Sequence, residues 1–210
     1  MQVKSYILEN DTKKLSNYNS ILFYGVNLGL KKHFKESLKT LHKKDLILNY
    51  DQEDLIKNEE MLINEISMSS LFQEQKLIFI DNGTDKLLNI LEKIINIIGK
   101  NKIIIFSEVL EKKSKIRDFY EKSKNLISVP CYEDNEITIK RIITTKLKDF
   151  NGLTIQNIDL IAENCGLDRV KLNNELTSAK IGLITTKCTI CDWSDERAHN
   201  TWLKSLGIKG

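Results

Sequence analysis

Lys76-Leu77-Ile78-Phe79-Ile80-Asp81 sets four consecutive apolar residues between the polar run Gln73-Glu74-Gln75 and a turn pair, Asn82-Gly83. A strand with one wet face alternates apolar and polar side chains. An unbroken apolar run marks a strand covered on both faces, as in a parallel sheet between helix layers. The same pattern recurs outward from this stretch. Upstream lie Ile21-Leu22-Phe23-Tyr24, closed by Gly25, and Leu46-Ile47-Leu48-Asn49-Tyr50. Downstream lie Ile103-Ile104-Ile105-Phe106 and Leu126-Ile127-Ser128-Val129. Helical spacing fills the gaps: Leu30, Phe34, Leu38 and Leu41; then Leu55, Leu62, Ile63 and Ile66 on one helix; then Leu87, Leu91, Ile94, Ile95 and Ile98. Residues 1–130 therefore read as an α/β domain built on a parallel sheet.

The pattern changes after Pro130, the only proline in the chain. Ile139, Ile143, Leu147 and Phe150 define a helix that stops at Asn151-Gly152. Thr154 is placed to cap a second helix, with Ile155, Ile158, Ile161 and Ala162 inward, ended by Cys165-Gly166. Asp168 caps a third, carrying Leu172, Leu176 and Ala179 on one side. Residues 131–182 are expected to form a small three-helix, lid-like domain, hinged to the first near residues 129–133. Residues 183–210 remain an unassigned tail.

Composition narrows the function classes. The chain has 210 residues, 41% hydrophobic and 29% charged, with a net charge of +3. That supports a real core and gives no basic field that would advertise nucleic acid. No apolar run reaches the roughly 18 residues of a membrane span. Met1-Gln2-Val3-Lys4-Ser5-Tyr6 lacks the apolar segment of a signal peptide. With no export signal, the four cysteines are expected to be reduced thiols in a cytoplasm.

An α/β sheet followed by a helical domain outlines a nucleotide-handling module, so the loop after the first strand is the place to look. A phosphate loop needs glycines bracketing a cradle, then Lys for the β/γ-phosphates, then Ser or Thr for magnesium. Here Gly25 and Gly29 are present, but Leu30 stands where the Lys belongs, Lys31-Lys32 comes one register late, and no hydroxyl follows. Asp81, at the end of the third strand, could hold a metal but has no neighbouring Glu to orient a water. A degenerate loop at Gly25 and Gly29 that neither binds nor hydrolyses ATP is the expectation.

Ser69-Ser70-Leu71-Phe72 ends a helical stretch immediately before Gln73-Glu74-Gln75. Two readings of Leu71 and Phe72 stand side by side. They fold back under the sheet, as apolar residues most often do, or they protrude to enter another protein's pocket. Basic residues gather at Lys112, Lys113, Lys115 and Arg117, and again at Lys140, Arg141, Lys146 and Lys148. Any single one of them reads better as a solvated face in a Lys-rich chain. Aromatic residues are only 7%, too few for a base-stacking platform. His33 and His42 sit on a Lys-rich helix and are expected in solvent. Cys188-Thr189-Ile190-Cys191 has zinc-knuckle spacing and His199 follows, but a structural site wants four ligands, so no metal is expected.

Taken in order, these pieces resemble the delta subunit of the bacterial DNA polymerase III clamp loader. The resemblance runs through most of residues 17–182. It rests on Ser70-Leu71-Phe72 with the strand at Lys76 and Asp81-Asn82-Gly83, and on Ile104-Ile105-Phe106-Ser107-Glu108 with the basic turn through Lys115. It rests also on Gly152-Leu153-Thr154-Ile155, and on Gly166-Leu167-Asp168 with Leu172 to Leu176. The resemblance implies an AAA+-like module that does not hydrolyse ATP and is itself no enzyme, within a holoenzyme that is a DNA-directed DNA polymerase. It implies that Ser70, Leu71 and Phe72 bind the ring-shaped sliding clamp and help open it. It also implies partnership with other loader subunits, and contact with primed DNA through the complex, for which Lys112, Lys113, Lys115, Lys140 and Arg141 are candidates. No cofactor and no membrane enter this picture. The chain departs from the family near residues 179–182, where the helical collar that holds the loader together should begin. A truncated or frame-shifted product and a divergent helical tail are the two accounts of residues 183–210. Two other function classes stay open: a nucleotide-dependent AAA+-type enzyme with a divergent loop, and a generic helical adaptor.

Overall fold

The computed structural model of the protein describes residues 1–72, 75–149 and 153–177, with the backbone alone for residues 68–72. The tail with Cys188, Cys191 and His199 lies outside the described residues, as do Ala179, Phe150 and the side chains of Ser70, Leu71 and Phe72.

Five strands run parallel: β1 (Ser20–Tyr24), β2 (Leu46–Asp51), β3 (Lys76–Asp81), β4 (Lys102–Ser107) and β5 (Leu126–Pro130), in the spatial order β2-β3-β4-β1-β5. β3 is buried from Lys76 to Ile80, and β1, β4 and β5 are buried throughout. β2 stands at the sheet edge and is half exposed, which suits its polar Asn49 and Asp51. The other edge is covered by residues 1–3. The Val3 amide donates to the Ser128 carbonyl at 2.9 Å, and the Ser128 amide to the Met1 carbonyl at 3.0 Å. Pairing of this kind removes an exposed edge.

The two faces of the sheet take alternate residues of each strand. Leu22, Tyr24, Ile78, Ile80, Ile103 and Ile105 pack with Leu55, Leu62, Leu91 and Tyr120. Those partners come from α3 (Gln52–Lys57), α4 (Glu59–Phe72), α5 (Leu88–Ile94) and α6 (Lys115–Lys122). Ile21, Phe23, Leu77, Phe79, Ile104 and Phe106 pack with Leu8, Leu15, Leu30, Phe34 and Leu38. These belong to α1 (Ser5–Asn10), a 3₁₀ turn (Thr12–Asn17) and α2 (Leu28–Leu41). Phe23 stacks on Phe34 at 4.8 Å and on Phe106 at 5.4 Å between centroids.

The helices depart from the sequence reading in four places. The single helix expected across Leu55 and Ile66 is two, broken at Asn58, whose ψ of 77° leaves the helical region. Leu55 and Leu62 nevertheless reach one core, so the apolar stripe survives the break. The helix expected from Leu87 to Ile98 begins as a 3₁₀ turn and its α-helical part ends at Ile94. The basic turn at Lys112 and Lys113 leads into α6, capped by the Ser114 hydroxyl on the Arg117 amide at 3.5 Å. α1 and its 3₁₀ turn escaped notice because each buries a single leucine, Leu8 or Leu15, and one residue makes no period.

Contacts divide the chain into two units, the first being Met1–Glu133, with the second starting at Asp134. The second holds α7 (Glu136–Leu147), α8 (Ile155–Cys165) and a further helical stretch, residues 169–177. Its core is Ile139, Ile143, Leu147, Ala162, Cys165, Leu172 and Leu176. Side-chain caps start its helices: Asn135 accepts from the Thr138 amide at 2.8 Å, Thr154 from Asn157 at 3.2 Å, and Asp168 from Val170 at 2.8 Å. Gly166 ends α8 with φ of 58°, a conformation that favours glycine. A buried Arg169–Asp134 pair, with Nε to Oδ2 at 2.8 Å, ties the first residue of the unit to this last stretch. Neither partner had been singled out from sequence.

Candidate functional site at the two ends of the sheet

At the carboxyl end of the sheet, the chain turns at Gly25 with φ of 130°. A Cβ there would lie 2.3 Å from the Cys131 carbonyl oxygen, so the glycine permits a close approach to the chain leaving β5. Three of the loop's amides are bonded within the protein. The Gly25 amide donates to the Glu108 carbonyl and the Asn27 amide to the Cys131 carbonyl, each at 3.0 Å. Asn27 caps α2, its Oδ1 accepting from the Leu30 amide at 2.9 Å, and its Nδ2 donates to the Tyr132 carbonyl at 3.0 Å. A phosphate cradle needs amides of this kind pointing at the ligand. Here three of them already have partners inside the fold. Gly29 is buried in the first turn of α2.

The two lysines that came late in register are placed by α2. Lys31 Nζ donates to the Ser107 carbonyl at 2.9 Å, and burial holds its pKa below the ordinary lysine value. One helical turn on, Lys35 Nζ lies 2.9 Å from Asp81 Oδ2 and over the rings of Phe79 and Phe106, 5.1 and 5.4 Å from their centroids. The ammonium of Lys35 therefore stands against the one carboxylate that sequence reasoning had offered to a metal. Asn82 follows with φ of 61°, its Nδ2 donating to Asp51 Oδ2 at 2.6 Å. A Cβ on Gly83 would meet Ile105 Cγ2 at 2.3 Å, so this glycine is required by packing against β4. An open cleft of about 290 Å³ remains, lined by Lys31, Lys32, Lys35, Asp81, Ser107 and Glu108 among others.

The amino end is held differently. Lys76 Nζ donates to the Glu65 carbonyl at 3.0 Å and pairs with its Oε2 at 2.5 Å, fixing the start of β3 to α4. The Lys76 amide donates to Asn101 Oδ1 at 3.0 Å, and the Leu46 amide to the Gln75 carbonyl at 3.0 Å. Lys102 Nζ donates to the carbonyls of Ser16 and Tyr18 at 2.7 and 2.8 Å. Ser70, Leu71 and Phe72 form the last backbone turn of α4, three residues before this braced strand start.

The candidate DNA-facing residues separate. Lys112, Lys113 and Lys115 are exposed at the start of α6, and Arg141 is exposed on α7. Lys140 pairs with Glu136 at 2.5 Å and Asp159 at 2.8 Å, and those hydrogen bonds raise its pKa. Arg117 is structural, with Nε 2.7 Å from Glu121 Oε1 and its guanidinium 5.0 Å from the Tyr24 ring centroid. His42 is not solvated as expected. It is mostly buried, with Nδ1 2.8 Å from Asp45 Oδ2. Cys131 and Cys165 are buried and neither is in a disulfide. Among the described residues no group of three His, Cys, Asp or Glu could hold a metal, and no helix is long and apolar enough to cross a membrane.

No family model matches the sequence, and no curated protein matches it. Solved structures do. The Bacillus subtilis DNA clamp loader delta protein superposes with a TM-score of 0.59 at 14% identity, over 98% of this chain and 63% of that one. Domain III of the Thermotoga maritima replication initiation protein DnaA gives 0.42 at 16% identity, covering 96% and 90%. Trip13 from Rhizobiales gives 0.46 at 14%, covering 77% and 66%. The fold is AAA+-like α/β, shared with the delta protein, of whose length the chain spans 63%.

Proposed function

We propose that the chain acts as a delta-type clamp-loader subunit, binding a ring-shaped sliding clamp and helping to open it without hydrolysing ATP. The observation that carries this reading is the superposition on the Bacillus subtilis delta protein over 98% of the chain. The polar geometry agrees with it. Loop amides engaged by the carbonyls of Glu108 and Cys131 are lost to a polyphosphate cradle, and the Lys35 ammonium occupies Asp81, the carboxylate at the end of β3. Those groups normally supply most of the transition-state stabilisation in phosphoryl transfer.

In this proposal Leu71 and Phe72 enter an apolar pocket of the clamp, with Ser70 at the rim. The braced start of β3 makes the last turn of α4 a firm base, so little entropy is lost on docking. Opening follows from differential affinity: the subunit must bind the sprung ring more tightly than the closed one. Lys112, Lys113, Lys115 and Arg141 contact DNA backbone in the assembled loader, without reading bases. Lys140, neutralised by two carboxylates, contributes less. Assembly with other loader subunits and a cytoplasmic setting belong to the same proposal.

Calorimetry against the cognate sliding clamp tests it. Leu71→Ala with Phe72→Ala is expected to weaken binding by at least ~3 kcal/mol, taking both as hot spots. The thermal midpoint should stay unchanged. Wild-type protein that fails to bind the clamp, or a double variant that unfolds while affinity per folded molecule is kept, defeats the reading.

A further inference from the structure

We propose that the open edge of the sheet, β2, pairs antiparallel with β2 of a second copy of this chain, across a two-fold axis at Leu48. The inference is independent of the clamp, since it rests on backbone and charge at β2 alone. The two edges of the sheet are finished differently. Beside β5 the edge is closed by residues 1–3. Beside β2 it is open among the described residues. The Leu46 amide donates to the Gln75 carbonyl, so Leu46, Leu48 and Tyr50 turn their backbone groups toward β3. Ile47 and Asn49 turn theirs the other way, and no described group bonds to them. Natural sheets blunt such an edge with lysine, proline or a bulge. Residues 46–50 contain no lysine or proline, and they pair with β3 in unbroken register. Leu46 is 48% exposed. Ile47 on one face, and Leu48 and Tyr50 on the other, are only half-buried, so a further strand covers apolar side chains on both faces.

Charge selects the occupant and its direction. Exposed Lys43 and Lys44 stand just before the strand, and exposed Glu53 and Asp54 just after it. The nearer acids, Asp45 and Asp51, are already engaged by His42 and Asn82. An antiparallel second copy sets the lysine end of each β2 beside the acidic end of the other, at both ends of the pairing. A parallel copy sets like charges together, which is unfavourable. The register that uses the outward backbone groups places Ile47 opposite Asn49 of the second copy, and the two-fold axis repeats the pair. A contact one strand wide is small, so the dissociation constant is expected on the order of 10 µM.

Sedimentation equilibrium of the full chain, from about 1 to 300 µM, tests the pairing. A monomer–dimer equilibrium is expected. Asn49→Pro deletes an outward amide at a place where an edge strand tolerates proline, and should weaken the dimer at least ~10-fold with an unchanged thermal midpoint in dilute solution. Lys43→Glu with Lys44→Glu, and separately Glu53→Lys with Asp54→Lys, should each weaken self-association about tenfold. Mixed with one another, these two charge-reversed chains should associate about as tightly as wild type, because both ends are then complementary. A dimer indifferent to Asn49→Pro, or reversed chains that bind each other no better than themselves, overturns the proposal. Wild-type protein that stays monomeric throughout also overturns it, and leaves a strand of another protein as the occupant to seek.

Discussion

The two ends of the sheet carry similar polar residues and use them in opposite ways. At the amino end, Lys76 and Lys102 are sunk into the fold, where their ammonium groups tie strand starts to α4 and to the chain before β1. At the carboxyl end, Lys35 and Asp81 meet in a half-open cleft, with side-chain exposures of 22% and 44%. An ion pair in that position is weak because water screens it. The carboxyl end is instead locked by backbone: glycines without Cβ and amides bonded to neighbouring carbonyls. The comparison teaches that a loop can keep the position of a phosphate cradle while its donors are turned to holding the fold together.

Substitutions measure that contrast. The largest effect is expected from Gly25→Ala, which forces a Cβ to 2.3 Å from the Cys131 carbonyl oxygen at a φ of 130°. Strain and overpacking together should cost roughly 3 kcal/mol or more in urea unfolding. Tolerance of the alanine would mean the loop is free to reshape, and the account of its lost chemistry would fail. Next comes Lys76→Ala at the opposite end. Its side chain is 7% exposed, but Glu65 is 33% exposed, so the loss is discounted to about 2 kcal/mol. Native-state hydrogen exchange should show the β3 start opening first.

Asn27→Ala removes the α2 cap and the bond to the Tyr132 carbonyl, an expected loss of about 1 kcal/mol. The smallest effect is expected from Lys35→Ala, below ~1 kcal/mol because the pair is solvent-screened. That variant sharpens the comparison further. With Asp81 freed, magnesium–ATP should still bind no more tightly than magnesium-free ATP, since the loop amides remain engaged. Magnesium-dependent tightening in Lys35→Ala would show that the ion pair alone had closed the site.

Four of the five strands were legible as runs of mostly apolar residues buried on both faces, and β2, half exposed at the sheet edge, by the shorter run Leu46-Ile47-Leu48. The helical stripe from Leu55 to Ile66 was legible as a stripe but not as two helices. Periodicity reports which side faces the core and is silent about a one-residue break at Asn58. In the second unit the caps Thr154 and Asp168 were readable, since capping acts within three residues. The Asp134–Arg169 pair was not, because its partners are 35 positions apart. At the carboxyl end the missing Lys and hydroxyl of the loop could be read directly. Lys31 and Lys35 could have been placed by their one-turn spacing at the head of α2. Nothing marked Ser107 as sharing their cleft until β4 was set beside β3.

What the chain's own order of residues determined is therefore local. It made apolar runs into strands, stripes into helix faces and side-chain oxygens into caps, because each depends on neighbours within a turn or a pleat. It also determined what the loop lacks, since an absent lysine is a fact of sequence. Only tertiary structure decided what the remaining groups do instead. Parallel pairing in the order β2-β3-β4-β1-β5 brings Asp81, Ser107 and the head of α2 to one end. There a carbonyl, a ring face or an opposite charge from a distant segment decides whether a lysine braces the fold or screens a carboxylate.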